Sequence, residues 1–200
     1  MPDNVCYLAI FLSKTFAPFV KLNFAIIYQS NAMKTYNYLL FIFVLLTFER
    51  ANAQNNTNAI DQVLQSYLNV EKSLVNDDGK LANKSANDLV VAIAKVDASQ
   101  LDDSQKKAWT IYGEKLRYNS QHISESKSID HQREHFAALS DEMYGLLKTF
   151  KTHTLVFRQY CPMKKQYWLN ASREIQNPYY GKVMLDCGKV TETMTGTTPK

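Results

Sequence analysis

Glycine and proline are scarce in this chain, with six and five in 200 residues. The glycines never gather into a phosphate-cradling loop. No zinc-protease histidine pair, no nucleophile elbow, no C-x-x-C and no internal repeat occurs either. These absences remove the usual sequence signatures of nucleotide-binding, hydrolytic and thioredoxin-like proteins. A large excess of charge is also missing, because a formal net charge of +4 is too small to argue for a nucleic-acid partner. Cysteine is limited to Cys6, Cys161 and Cys187. What remains is a chain with ordinary apolar content and room for one compact domain.

The first fifty or so residues read as lying outside that domain. From Met33, Lys34 supplies a charged start, Tyr38 to Phe48 an apolar run, and Ala51-Asn52-Ala53 a small-x-small cleavage site before Gln54. This is the pattern of a secretory signal peptide at 33–53, and the apolar run is short for a membrane span. No cysteine follows the site, which argues against a lipid anchor. Residues 1–32 are apolar but interrupted by Lys14, Pro18 and Lys21, and read as an upstream extension from a start called too early. A hydrophobic anchor that includes Cys6 is the alternative. The expected mature protein is periplasmic, has no membrane segment after processing, and holds one domain at 54–192 with a tail at 193–200.

Beyond Gln54 the apolar residues follow helical spacing. Ile60, Val63, Leu64, Tyr67, Leu68 and Leu74 mark a first helix over about 58–76, stopped by Asn76-Asp77-Asp78-Gly79. A second runs from Leu81 to Val96 with a broad apolar face, followed by a polar connection over Asp97–Asp103. The third is capped by Ser104 and turns Trp109, Tyr112, Leu116 and Ile123 inward, with Lys106, Lys107, Glu114 and Lys115 in solvent. The fourth is capped by Ser128 or Asp130 and repeats Phe136, Leu139, Met143, Leu146, Leu147 and Phe150. The expected fold is all-α, an antiparallel four-helix bundle with an irregular carboxy-terminal segment packed on it. Charge is uneven, with 11 basic and 14 acidic residues over 54–150 but 8 basic and 3 acidic over 151–200. A solvated surface, docking of the tail on the body, or attraction to an anionic partner would each account for this.

The chemistry concentrates between Tyr160 and Gly188. Cys161 and Met163 form a C-x-M, and Met184 and Cys187 an M-x-x-C that roughly mirrors it. Two thiols and two thioethers are soft ligands that select Cu(I) over hard cations. Trp168 can anchor the segment by burial. Asn177-Pro178-Tyr179-Tyr180-Gly181 is a turn that can fold one sulfur pair back onto the other. Other readings stand beside this one. Two thiols 26 residues apart in an exported protein can form a disulfide worth about 3–4 kcal/mol. Met163 and Met184 can serve as core filler. His131 and His135, four apart on the fourth helix, can chelate a metal or complete the sulfur site, or stand as exposed helical residues. His122 and His153 have no partner at a telling spacing. Asp186 is a hard ligand and reads as exposed. Cys161 with His135 is the one pair that an enzyme reading can name, and the expectation is a non-catalytic protein.

The run C-P-M, W-L, I-x-N-P-Y-x-G and M-L-x-C-G resembles the signature of the domain of unknown function 3347 family. The fourth-helix stretch I-D-H-Q-R-E-H-F-A-A-L-S-D-E-M-Y-G-L-L-K resembles what family members carry just before it. The likeness extends over about residues 55–192, with the carboxy-terminal motif as its specific part. It implies an envelope protein of Gram-negative bacteria, sometimes fused to heavy-metal efflux adaptors. Copper or a related soft metal is then the implied cargo, and an efflux adaptor or copper chaperone the implied partner. Many members carry a glycine-containing insertion between C-P-M and W-L, where this chain has only Lys164, Lys165, Gln166 and Tyr167.

Overall fold

A computed structural model describes residues 59–194. The expected signal peptide and upstream extension lie outside them, as does the last part of the tail. Four helices come first: α1 over 59–75, α2 at Gly79–Ala94, α3 at Asp103–Glu125 and α4 at Ile129–Leu147. The spacing of apolar residues locates all four within a few residues. Their inner faces bury Ile60, Leu64, Tyr67 and Leu74 from α1, Leu89 from α2, Leu116 and Ile123 from α3, and Phe136, Leu139, Met143 and Leu146 from α4. Among the described residues no helix is long and apolar enough to cross a membrane.

The caps explain the boundaries. The first helix ends where Asp77 takes a left-handed φ of 59°, and Asp78 then caps α2 by accepting from the Leu81 amide at 2.9 Å. The third helix begins earlier than Ser104, because Asp102 and Gln105 form a reciprocal capping box that fixes the first turn. Ser128, rather than Asp130, caps α4. The connection before α3 is not wholly polar: Asp97 caps a short 3-10 turn at Ala98–Gln100, and Leu101 behind it is buried.

Side chains join neighbouring helices. Asn83 of α2 donates to the carbonyls of Ile123, Ser124 and Ser126 at the end of α3. Tyr67 of α1 stacks on Phe136 of α4 with ring centroids 5.2 Å apart, and its hydroxyl meets Ser140 Oγ at 2.8 Å.

The carboxy-terminal segment corrects the all-α expectation. It is not irregular throughout but forms a three-stranded antiparallel sheet in the order β2-β1-β3, with β1 at Val156–Cys161, β2 at Gln166–Asn170 and β3 at Lys189–Met194. The third strand runs two residues into the segment expected as a tail. Helical spacing had no grip here. Valine, phenylalanine, tyrosine and tryptophan in β1 and β2 are strand formers, but each strand is only five or six residues long. The sheet rests on the helices through β2. The Leu169 amide donates to the Tyr67 hydroxyl at 3.0 Å, and Asn170 Nδ2 donates to Glu71 Oε1 at 3.2 Å.

Glu71 is 4 % exposed, and burial pushes its carboxyl up to about 8, with Lys72 pulling weakly downward. Unfolded, the group ionises near its ordinary 4.5. Between those values the folded state keeps a proton that the unfolded state has released. Stability therefore falls as pH rises through this window and levels off above it. Glu71→Gln should keep the bond from Asn170 and remove the slope. Urea melts at pH 5 and pH 8 should show the wild type losing on the order of 3 kcal/mol more than the variant. Equal losses in both proteins would mean that Glu71 folds ionised.

Candidate metal centre

Strand pairing brings the two cysteines together. The first strand pairs with β3 so that Tyr160 faces Lys189, which sets Cys161, at the end of β1, beside the residues that lead into β3. The two Sγ atoms lie 3.7 Å apart and both thiols are free. Cys161 is fully buried and Cys187 half-buried. Two sulfurs bound to one tetrahedral ion at about 2.3 Å would be roughly 3.8 Å apart, whereas a disulfide needs about 2.05 Å. The observed separation therefore matches a shared ion with little movement.

The hairpin between β1 and β2 presents backbone donors to this pair. Lys165 takes the left-handed conformation with a φ of 57°, and its amide closes the turn on the Cys161 carbonyl at 2.8 Å. The turn is thus made without glycine. It directs the Lys164 N–H at Cys161 Sγ, 3.3 Å away. Burial pushes the Cys187 thiol up, and the neighbouring Cys161 sulfur pushes it the same way, while the Met163 amide favours its thiolate. Charge on both sulfurs at once is disfavoured unless a cation lies between them.

The second cysteine is held by the turn that precedes it. Fully buried Asn177 donates from Nδ2 to the Cys187 carbonyl at 2.6 Å, and its Oδ1 accepts from the Tyr179 amide at 2.8 Å. Tyr179 is buried against Trp168 and Phe136, with its hydroxyl donating to the Tyr167 carbonyl. Trp168 is fully buried and packs so closely on Gly188 that a Cβ there would stand 2.7 Å from the indole. Gly181 has a φ of 55° and lies against Asp77 and Arg133, with no room for a side chain.

Sequence spacing marks Asp77 only as part of the stop after α1 and does not single out Arg133. Arg133 donates to the Pro178 carbonyl at 2.8 Å, the Leu74 carbonyl at 3.1 Å and Asp77 Oδ1 at 2.6 Å. The other Asp77 oxygen accepts from the Lys182 amide at 3.1 Å. Burial alone would raise the Asp77 carboxyl. The hydrogen bonds from Arg133 and Lys182, with their charges, more than reverse this and hold it below its ordinary value. The only sequence signal was an arginine on the α4 face that also carries Phe136.

The remaining expected ligands divide. Met163 is 64 % exposed, so it is not core filler, and it reaches Cys187 through its amide. Met184 is half-buried beside Cys187, and Asp186 is exposed, as expected. His135 does not join the sulfurs, which is a correction. It groups with His131 and with His122, whose ligand atoms all lie within 4.8 Å of one another. The cause is helical geometry: contacts to α3 and to the carboxy-terminal turn come from different sides of α4. His135 Nδ1 meets Asn119 Oδ1 of α3 at 2.8 Å, whereas Arg133 and Phe136 contact Pro178 and Tyr179. For the same reason Cys161 and His135 do not form a nucleophile–base pair. Burial, and the two neighbouring imidazoles, push the His135 ring below its ordinary value.

The family model described as "Protein of unknown function (DUF3347)" matches residues 63–154. The match covers most of α1 and the other three helices and stops before Cys161, so it rests on the helices and not on the carboxy-terminal motif. No curated protein and no solved structure matches the chain.

If the Arg133 contacts hold the turn over the thiols, Arg133→Met should destabilise the protein by about 2 kcal/mol, since the Pro178 and Leu74 carbonyls lose their donor. Thiol labelling of the native protein should then speed up at least tenfold. Loss of stability with an unchanged labelling rate would show that the turn stays docked without Arg133.

Proposed function

We propose that this chain, which belongs to the DUF3347 family, binds a soft metal ion between Cys161 and Cys187, with Cu(I) the leading candidate. The supporting observation is two free thiols 3.7 Å apart, with the Lys164 N–H directed at one of the sulfurs. A monovalent soft cation relieves the repulsion of two thiolates, and Met184, half-buried in the same segment, offers a thioether as a further ligand. In this reading Met163, exposed on the hairpin, meets an ion or a docking partner from solvent. The half-buried Cys187 beside fully buried Cys161 suits a cargo that must be handed on. The role is buffering of copper, or its transfer to an efflux adaptor or chaperone in the periplasm, without catalysis. In this reading a signal peptide at 33–53 directs export, and the four helices form an antiparallel bundle that serves as the platform for the sheet and its thiols.

A second reading keeps the same geometry and a different chemistry. Because the sulfurs are already adjacent, oxidation would join them into a structural disulfide, leaving a non-catalytic interaction module. Anaerobic titration separates the two. Reduced protein should take up about one Cu(I) per chain in competition with a Cu(I) chelator, and Mg(II) and Ca(II) should not compete. Cys161→Ser or Cys187→Ser should abolish the competition, while Met184→Leu should weaken it less. Native protein without free thiols, together with reduced protein that fails to compete for Cu(I), would sink the metal reading.

A further inference from the structure

A second cluster of ligating side chains stands apart from the sulfurs. Helices α3 and α4 form a hairpin with a short connection, so residues similarly distant from the turn face one another across it. His122, on the last turns of α3, meets His131 and His135, one helical turn apart on α4. The His122 and His135 rings stack with centroids 4.4 Å apart, and His131 meets His135 edge-on at 4.7 Å. His122 and His135 are partly buried and His131 is exposed.

Hydrogen bonds around the cluster settle which ring nitrogen of His135 is free. Asn119 Nδ2 donates to Glu142 Oε2 at 2.9 Å and to the Lys115 carbonyl at 3.1 Å, so the amide can present only its oxygen to His135. That oxygen lies 2.8 Å from His135 Nδ1, which must therefore carry the proton. The Nε2 lone pair is left available as a ligand. On His131, Nδ1 lies 3.4 Å from Glu134 Oε2, which favours the same tautomer there. An imidazole oriented through its second nitrogen by an amide or carboxylate is how metal-binding histidines are held. The chain Glu142–Asn119–His135 has this form, and a row of surface histidines without a ligand would not need it.

We infer that His122, His131 and His135 form a second metal site, separate from the thiols, that takes a divalent cation of borderline softness such as Zn(II). Three neutral imidazoles suit such an ion, and they leave a fourth position open to water or to a ligand from a partner. Nitrogens on one tetrahedral ion at about 2.0–2.1 Å lie roughly 3.4 Å apart. The present spread of up to 4.8 Å thus closes by rotation of the exposed His131 and by turning the His122 ring out of its stack on His135, so that the in-plane lone pairs converge. The site is independent of the soft-metal reading, because it shares no residue with the sulfur pair.

Co(II) and Zn(II) titration of the metal-free exported protein tests it, with circular dichroism to verify folding. Co(II) should produce visible d–d bands without a thiolate-to-cobalt charge-transfer band. Cys161→Ser/Cys187→Ser should leave these bands unchanged. His122→Ala and His131→Ala, neither at a fully buried position, should each weaken Zn(II) binding at least tenfold, and Asn119→Ala should weaken it by about 10–100-fold. Visible d–d bands that vanish in the double serine variant, or Zn(II) affinity that survives both His122→Ala and His131→Ala, would overturn the site. So would a wild-type protein that fails to compete with a micromolar Zn(II) indicator.

Discussion

The carboxy-terminal half of the site depends on one buried guanidinium. Arg133 reaches from α4 to the end of α1 and to the Pro178 carbonyl, and so joins three parts of the chain that are distant in sequence. A buried charge is tolerated only where acceptors surround it, and here each acceptor is also a structural landmark. Leu74 lies in the last turn of α1, Asp77 is the left-handed residue that ends it, and Pro178 belongs to the turn that leads to Cys187. Gly181 completes the arrangement, because only a residue without a side chain fits against Asp77 and Arg133 with that φ. Burial of the arginine, docking of the turn and placement of the second thiol are therefore one event.

The sheet supplies what this clamp cannot, namely register. Antiparallel pairing of β1 with β3 brings residues 26 apart in sequence to within 3.7 Å at their sulfurs, and pairing with β2 places Trp168 beneath Gly188. A one-residue slip in either ladder would turn Cys161 to the opposite face. The family model ends at residue 154, just before β1, so it spans most of the helical platform and none of the strands that carry the thiols.

The turn that leads to Cys187 and the three imidazoles, candidate ligand sets of different softness, are held from different sides of α4. Thiols, with a thioether nearby, suit a monovalent soft ion, and imidazoles suit a borderline divalent one. Their separation follows from the helix period, since Arg133 and Phe136 point to the carboxy-terminal turn while His135 meets α3. A helix with apolar contacts on one side and an α3-facing polar seam on another can support both without shared residues.

Much was legible in the chain itself. Spacing of apolar residues located the four helices, because burial of one stripe per helix is a local, periodic demand. The cluster of soft ligands between Tyr160 and Gly188 drew attention to the segment that carries the thiols, since cysteine and methionine are rare enough here to stand out. Other features were decided only by the tertiary fold. Short strands leave too few residues for a period to show, and so a sheet read as an irregular segment. Asp102 rather than Ser104 caps α3 because Gln105 can answer it. Met163 faces solvent because the hairpin turns its amide, not its thioether, toward the sulfur. His122 had no partner along the sequence and gains two across the α3–α4 hairpin, while Asp77 reads in the sequence only as part of a helix stop and meets Arg133 from 56 residues away. Spacing along one element is written in the sequence; proximity between elements exists only once packing has chosen which faces meet.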